Sequence, residues 1–332
     1  MSTVALTIDS DDPADAPADA SSGADFVLAH LSDLHLSSLD GIHARTLVGK
    51  RVLGYLSWRY RRRREHRTEV LDALRGDLAG EHPDHVAVTG DLTHLGLPHE
   101  FRQAAAWLNR LGPPEGITVI PGNHDAYVRE SWQDTFAEWS AYMRSDDARA
   151  DIQDAEVFPT LRRRGDVALI GLSTALPSAP FLATGRLGQR QLAELDRMLD
   201  ETGKEARFRI VLMHHPPARH TVGWRKSLRD GAALREVLAR RGAELVLHGH
   251  AHFSAATYLD GARGPTLALG VPSASMIGQK VDRYAAYHLY RIRRDGAGWR
   301  LRVCVRRYSL DRARFVPDDG QGLRLALATA PA

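Results

Sequence analysis

Short apolar runs that alternate with amphipathic stretches constrain the fold of this chain more than any other sequence feature. The runs are four to six residues long and rich in Val, Ile and Leu, and they occupy residues 26–31, 85–89, 117–120, 167–172, 208–213 and 244–247. Such runs are typical of strands buried on both faces, and segments of helical periodicity lie between the earlier ones, as at Val70, Leu74 and Leu78. The alternation predicts an α/β fold built in layers. After residue 266 the helical pattern stops, and residues 266–271, 285–292 and 299–306 are predicted to be consecutive strands.

Most of these runs are followed directly by side chains that carry oxygen or nitrogen donor atoms. In chain order the donors are Asp33, His35, Asp91, Asn123, His124, Asp125, His214, His250 and His252. In open α/β sheets the functional crevice lies beyond the carboxyl ends of the strands. Five separate segments are therefore predicted to deliver these side chains to one edge of the fold.

Carboxylate, amide and imidazole donors suit divalent Mn, Fe or Zn, or a mixed pair of these ions. Cys304 is the only cysteine, which excludes a disulfide framework and a structural zinc site built from thiolates. A carboxylate such as Asp91 can bridge two cations with its two oxygens. Two cations about 3.5–4 Å apart stabilise both the attacking and the leaving oxygen of a phosphoryl displacement, and they lower the pKa of water between them.

The five donor segments, in this order, resemble the sequence signature of the calcineurin-like metallophosphoesterases. The pattern is D-x-H from Asp33, G-D at Asp91, G-N-H-D over residues 122–125, a strand-terminal His214 and G-H-x-H over residues 249–252. The resemblance runs over residues 26–260 and includes the cyclic-nucleotide phosphodiesterase and UDP-diacylglucosamine hydrolase branches of the family. It implies a four-layer α/β/β/α sandwich with two mixed sheets.

The resemblance also implies a role for each donor. One divalent cation would be held by Asp33, His35 and His252, and a second by Asn123, His214 and His250, with Asp91 bridging the two. His124 would protonate the leaving oxygen or stabilise charge on the phosphoryl group, and Asp125 would orient His124. His214 is preferred to His215 as the ligand because it follows its strand directly.

The function that this pattern predicts is a dinuclear-metal-dependent phosphoester hydrolase, specifically a phosphodiesterase that uses metal-activated hydroxide with His124 assisting. Two alternatives stay open: a pyrophosphate hydrolase acting on a UDP-diacylglucosamine-like lipid at a membrane surface, and a non-catalytic interaction scaffold. A phosphorylated small molecule or lipid is the expected substrate. Nucleic acid is not an expected partner, because no recognition helix or base-stacking platform accompanies the basic charge. The other histidines are predicted to cap, to pack or to lie at the surface: His30, His43, His66, His82, His85, His94, His99, His220, His248 and His288.

A basic insertion over residues 46–67 separates the first two donor segments. Between Lys50 and Arg67 it holds eight basic residues against one acidic residue, together with Trp and Tyr. Its apolar residues Val48, Val52, Tyr55 and Leu56 fall on one helical stripe. Three interpretations stay open: residues 46–64 lie on an anionic membrane, the insertion caps the active site, or it is a solvated helix whose apolar stripe packs on the core.

Composition sets the expected boundaries of the domain. Residues 1–25 contain six Asp and no Lys or Arg, which predicts a disordered acidic leader before a metallophosphoesterase domain over residues 26–310 and a C-terminal tail over residues 311–332. No apolar run approaches the roughly 18 residues that a membrane-spanning helix needs, and the leader has no basic start typical of a secretory signal. A cytoplasmic location is therefore expected, with peripheral contact at the inner face of the membrane as an alternative.

Overall fold

The computed structural model describes residues 4–9, 25–36, 38–43, 46–147, 155–278, 284–319 and 323. Thirteen strands are present in this part of the chain: β1 (Val4–Asp9), β2 (Phe26–Leu31), β3 (His85–Val88), β4 (Ile117–Val119), β5 (Thr160–Arg164), β6 (Val167–Gly171), β7 (Phe208–Leu212), β8 (Leu245–His248), β9 (Ala255–Leu259), β10 (Thr266–Gly270), β11 (Ala286–Asp295), β12 (Gly298–Ser309) and β13 (Arg314–Asp318). The α-helices are α1 (Lys50–Ser57), α2 (Arg63–Glu65), α3 (Thr68–Glu81), α4 (Pro98–Leu111), α5 (Gly188–Lys204) and α6 (Gly231–Arg241).

The strands form two mixed sheets. The first has the order β1-β12-β11-β2-β3-β4, in which β2, β3 and β4 are parallel and β11 is antiparallel to both of its neighbours. The second has the order β5-β6-β7-β8-β10-β9, with four parallel strands in its centre and an antiparallel strand at each end. The predicted α/β fold with two mixed sheets is confirmed.

One apolar core joins the two sheets. The ring of Trp299 on β12 packs edge to face against Phe208 on β7, with 5.4 Å between centroids, and both side chains are buried. Helix α3 contacts β13 and buries the predicted stripe Val70, Leu74 and Leu78, while α5 contacts β6 and β7 of the other sheet. Helix α3 therefore covers the first sheet, and helix α5 covers the second.

Two strands lie outside the predicted domain boundaries of residues 26–310. β1 falls inside the predicted acidic leader, and β13 falls inside the predicted C-terminal tail, so the expectation of disorder is wrong for Val4–Asp9 and the domain extends beyond residue 310. β1 runs parallel to β12 over residues 299–304, and β13 runs antiparallel to β12 over residues 305–309. Both short segments become strands through their pairing with the long β12. The rest of the leader and most of the tail lie outside the described residues.

The basic insertion is helical, and three of the four residues of the predicted stripe lie at the surface, while the fourth, Tyr55, is partly buried and stacks on Trp58. Val48, Val52 and Leu56 are exposed, whereas Arg51, Gly54 and Trp58 are buried. A π-helical turn over Trp58–Arg62 follows α1 and leads into α2. Among the described residues, no helix combines the length and the apolar character that crossing a bilayer requires.

Candidate metal centre

The predicted donor side chains converge at the carboxyl ends of strands from both sheets. β2, β3 and β4 of the first sheet are followed by the Asp33, Asp91 and Asn123 segments, and β7 and β8 of the second are followed by those of His214 and His250. The segments are tied together across the sandwich, since the backbone N–H of His250 donates to Asp33 Oδ2 at 2.9 Å. Both sheets therefore contribute to one site.

The first group of donors comprises Asp33, His35 and His252, whose ligand atoms lie within 4.8 Å of one another. His252 Nε2 is 3.0 Å from Asp33 Oδ1. His35 Nδ1 donates to the carbonyl oxygen of Thr93 at 2.9 Å, which leaves its Nε2 as the nitrogen with a free lone pair.

The second group comprises Asp91, His214 and His250, again with ligand atoms within 4.8 Å of one another. His214 Nε2 lies 3.4 Å from Asp91 Oδ2 and 3.1 Å from Asn123 Oδ1, while its Nδ1 donates to the Thr89 carbonyl at 2.7 Å. The neighbouring His215 instead uses Nδ1 on the hydroxyl of Thr174, 2.7 Å away. Of the two adjacent histidines, His214 is thus the one grouped with Asp91 and His250, while the ring of His215 packs on the ring of His250 with 4.4 Å between centroids.

Asp91 belongs to a third group as well, with His35 and His124, and so lies between the first two groups. A carboxylate in that position can offer one oxygen to each side. Its Oδ1 also accepts the backbone N–H of His124 at 2.7 Å, which fixes the carboxylate relative to the 122–125 segment.

Asp125 acts on the backbone and not on the imidazole of His124. Its carboxylate accepts the backbone N–H groups of Asp91, Thr93 and Gly122 at 2.8–2.9 Å. The ring of His124 is oriented instead by the carbonyl oxygen of His94, 2.6 Å from Nδ1. The predicted orienting contact of Asp125 with His124 is therefore replaced by a contact that holds the two donor loops together.

Burial sets the protonation of the imidazoles. It lowers the pKa of His35, His124 and His250 well below the ordinary value, with further lowering from neighbouring positive groups. Neutral imidazole is the form that binds a metal. Burial also lowers the pKa of His214, but the Asp91 carboxylate beside it raises the pKa to about 9, so a proton and a cation compete for this nitrogen.

The backbone is strained at the donors themselves. A left-handed conformation, with φ between 45° and 68°, is adopted by Asp33, His35, Asp91, His250 and His252. Left-handed backbone is uncommon outside glycine and costs roughly 1 kcal/mol or more per residue. Such strain persists only where the surroundings over-determine it, and here it lies at the predicted metal ligands.

Three residues of the site escaped the sequence analysis. His94, predicted only to pack, stacks on His35 with 4.8 Å between ring centroids and supplies the carbonyl that orients His124. His66 of the insertion lies 4.5 Å from the ring of His35. Arg62 places Nη1 3.2 Å from His124 Nε2. Their only sequence signal is proximity to the donor segments, which does not separate them from packing residues. Three other histidines given the same interpretation, His30, His85 and His288, are indeed buried in the core.

The residues present fit divalent cations. Asp33 and Asp91 are almost completely buried carboxylates, and burying an uncompensated carboxylate is costly. The side chains nearest to them are mainly imidazoles and one amide, which are donors to a metal, and the fixed positive charge of Arg62 acts on Asp91 from farther away. This mixture of oxygen and nitrogen donors without thiolates matches Mn, Fe or Zn.

Known proteins that are similar to this chain include phosphodiesterases. A family model described as calcineurin-like phosphoesterase matches residues 26–254. A probable cyclic nucleotide phosphodiesterase of Synechococcus is 28% identical over 236 residues, which cover 70% of this chain and 80% of that protein. A cAMP/cGMP dual specificity phosphodiesterase of Mycobacterium tuberculosis is 26% identical, with 69% of this chain and 63% of that protein covered. The glycerophosphodiester phosphodiesterase of Enterobacter lignolyticus is 28% identical, with 58% and 57% covered. The chain thus spans about three fifths of the length of the latter two.

Two solved structures share the fold at low sequence identity. A dimetal phosphatase from Danio rerio has a TM-score of 0.58 at 12% identity, with 85% of this chain and 96% of that one covered. A purple acid phosphatase from yellow lupin seeds has a TM-score of 0.53 at 11% identity, with 89% and 53% covered.

Proposed function

The chain belongs to the calcineurin-like phosphoesterase family, and from that premise we propose that it is a phosphodiesterase with a dinuclear metal centre. As a member of the family it is a metal-dependent phosphoester hydrolase that acts on phosphorylated substrates. The observation that carries the finer proposal is the position of Asp91, which is shared between two groups of buried donors. The names of relatives that are phosphodiesterases support the choice of a diester over a monoester.

In this proposal each metal has its own set of ligands, with Mn, Fe or Zn as the ions. Asp91 lies between the sets, of which the first is Asp33, His35 and His252 and the second is Asn123, His214 and His250. Divalent cations held there supply positive charge to the phosphoryl oxygens and lower the pKa of bound water. The chain itself holds these ligands in place through Asp125, which binds the backbone amides of two donor loops.

His124 is the proposed acid. Its Nδ1 donates to the His94 carbonyl, so Nε2 is the nitrogen that faces the ester. Burial and the charge of Arg62 lower the pKa of the free ring, and the negative charge of a bound phosphoryl group opposes that lowering, so we assign the protonated Nε2 to the substrate complex. Tyr127 stacks on the ring at 5.6 Å and restricts its rotation. A proton delivered at this atom turns a poor alkoxide leaving group into an alcohol.

The proposal is tested with bis-(p-nitrophenyl) phosphate after removal of metal and re-addition of Mn²⁺, Fe²⁺ or Zn²⁺. Chelation should abolish hydrolysis and one of the ions should restore it. Loss of a positioned acid costs about 100-fold or more, so His124→Ala should lower kcat by that much and keep its metal, whereas Asp91→Ala should lose metal as well. Hydrolysis at the wild-type rate in either variant would contradict the assigned roles. A panel of a monoester, cyclic AMP, a model diester and a UDP-lipid then identifies the substrate class.

A second candidate, hydrolysis of a lipid pyrophosphate at a membrane surface, is favoured by the outer face of the insertion. Val48 and Tyr60 are 71% and 77% exposed, Leu53 and Leu56 are also exposed, and arginines flank them. An apolar face with a basic rim is suited to an anionic bilayer.

Vesicles that contain anionic phospholipid distinguish the two candidates. If the insertion binds membrane, Leu53→Asp with Leu56→Asp should abolish vesicle association and leave hydrolysis of the soluble diester intact. Leu310→Asp is the matched control, because Leu310 is a similarly exposed apolar residue outside the insertion. Equal vesicle association of the wild type and the double variant would rule this candidate out.

A further inference from the structure

The basic insertion presents arginine to the interior of the protein and apolar side chains to solvent. Residues at helical spacing, Arg51, Gly54, Trp58 and Arg62, form its inner face. A helix that packs on a protein normally does the reverse. A buried guanidinium requires polar or acidic partners. Arg51 and Arg62 on this face have different ones.

Arg51 is fully compensated. Its guanidinium donates to the carbonyl oxygens of Leu95 and Gly96 at 3.2 and 2.7 Å and pairs with Glu130 at 2.7 Å. Trp58, only 2% exposed, packs with Leu95 in a small apolar cluster. The first half of the insertion is therefore anchored on the loop that follows Asp91.

The far end of the insertion is anchored on a different loop. Ile277 donates its backbone N–H to the carbonyl of Glu65 at 2.6 Å, and His66 Nδ1 lies 2.7 Å from the hydroxyl of Ser275. Ser273 of the same loop donates to the backbone carbonyl of Asp33 at 2.7 Å. The insertion is thus fixed at one end to the loop that follows Asp91 and at the other end to a loop that binds the backbone of Asp33.

Arg62 lies between these two anchors and faces His124. Its Nη1 is 3.2 Å from Nε2 and 3.3 Å from Nδ1 of the ring, so the guanidinium lies over the imidazole and not in line with one nitrogen. The π-helical turn that ends at Arg62 keeps Trp58 and Arg62 on the same inner face. Turns of this kind occur frequently at functional sites.

The partners of Arg62 set it apart from its neighbours. Arg61 and Arg63 pair with Glu65 and Asp40 at 3.0 and 3.1 Å. Among the described residues, no carboxylate lies within ion-pair distance of Arg62, although the charge of Asp91 acts on it from farther away and opposes the lowering of its pKa by burial. A guanidinium that faces a centre of two divalent cations is repelled by them unless an anion lies between. A phosphoryl group is such an anion, and the planar fork of arginine matches its oxygens.

We propose that Arg62 is a catalytic residue that binds a non-bridging oxygen of the phosphoryl group that reacts. This assignment rests on the proposed phosphodiesterase function. It makes the insertion part of the active site, since the insertion brings a positive charge to the side of the phosphoryl group where His124 acts. The acid and the guanidinium then approach the ester together.

The test compares Arg62→Gln, Arg62→Lys and Arg62→Ala with Arg61→Gln, a matched control on the exposed side of the same turn. Removing one donor to a transition-state oxygen costs about 100-fold or more in kcat, and we expect this for Arg62→Gln with the model diester. Arg62→Lys should recover part of the loss, Arg61→Gln should stay within about twofold, and added guanidinium should raise the rate of Arg62→Ala. Metal content and thermal unfolding should match the wild type in all four variants.

Calorimetric titration of the Mn²⁺-loaded proteins with inorganic phosphate separates this proposal from the proposed function. We expect Arg62→Gln to bind phosphate at least tenfold more weakly than the wild type. Equal phosphate binding, or equal kcat, in Arg62→Gln would overturn the role of Arg62. If the wild type hydrolyses no ester at all, the proposed function fails, while the phosphate titration still decides whether Arg62 binds a phosphoryl group.

Discussion

The backbone at Gly122 approaches Asp91 so closely that a methyl group does not fit between them. A Cβ at Gly122 would lie 2.5 Å from the backbone nitrogen of Asp91 and closer still to Oδ1 of its carboxylate. Because the neighbouring atoms belong to a donor loop, the strain of Gly122→Ala would displace Asp91. We expect Gly122→Ala to lose most of its bound metal and at least 100-fold in kcat/KM, comparable to the removal of a catalytic contact.

Metal analysis and diester kinetics check this expectation, with Gly116→Ala as the control. Gly116 precedes the same strand, and a Cβ there would meet no atom within 4 Å. Gly116→Ala should therefore keep full metal content and activity. A fully metallated, active Gly122→Ala protein would show that Asp91 is not held by this contact.

At the scale of residues, the order of motifs was sufficient to predict that the proposed donors lie close together, because each follows a strand and strand ends meet at one edge. The same reasoning missed His66, His94 and Arg62. Their contacts with His35 and His124 arise from the docking of the insertion and of the 93–97 loop. The motif also did not predict the contacts of Asp125. This carboxylate is adjacent to His124 in the sequence, but it accepts hydrogen bonds from backbone amides.

Among the elements, β12 shows how the ends of the chain complete the sheet. Its outer edge is divided between β1, which pairs with residues 299–304, and β13, which pairs with residues 305–309. An open edge of this length would be a template for pairing with another molecule. The two short strands protect it from both ends.

We therefore expect Leu6→Asp to destabilise the protein, because Leu6 packs partly against the core. The loss should be about 1 kcal/mol or more in the free energy of unfolding, the usual size for a charge at a half-buried apolar position. Thr7→Asp is the control, since Thr7 is exposed on the other side of the strand. Urea unfolding measures the loss, and size-exclusion chromatography detects association through the freed edge. Equal stability of the two variants would mean that β1 contributes nothing to the fold.

Strands whose own apolar run is short, such as β1 and β13, were the ones that the sequence pattern did not predict. The central strands β2, β3, β6, β7 and β8 were predicted within one or two residues, because strands buried on both faces consist of continuous apolar runs. β1 and β13 depend on β12, and their polar surroundings hide them. The orientation of the insertion stayed open in the sequence, because its inner face binds through arginine and tryptophan, which a hydrophobic stripe does not reveal.

Stability of the whole molecule depends on histidines that are buried without charge. Burial, and then nearby arginine charge, lowers the pKa of His85 and of His288 to about 3. Their unfolded pKa is near 6.5, so below that pH the unfolded chain binds protons that the folded chain does not. Their contribution is complete above pH 6.5 and is lost as the pH falls toward 3.

Urea unfolding of the chelated protein between pH 7 and pH 5 should show this loss. Each such histidine steepens the dependence by about 1 kcal/mol per pH unit, so His85→Gln should flatten the slope by about that amount. His43→Gln, at an exposed histidine, is the matched control variant. A slope that is identical in His85→Gln and the wild type would place the acid sensitivity elsewhere.

The inner and outer faces of the insertion are independent of each other, so the outer face can change in sequence without disturbing the inner one. Its inner face contacts two donor loops, the one that follows Asp91 and the one that carries His124. Its outer face, with Val48, Leu53 and Tyr60 in solvent, makes no contribution to the core. Laboratory evolution of those three positions should therefore change which molecules or surfaces the enzyme meets while its hydrolytic machinery is inherited intact.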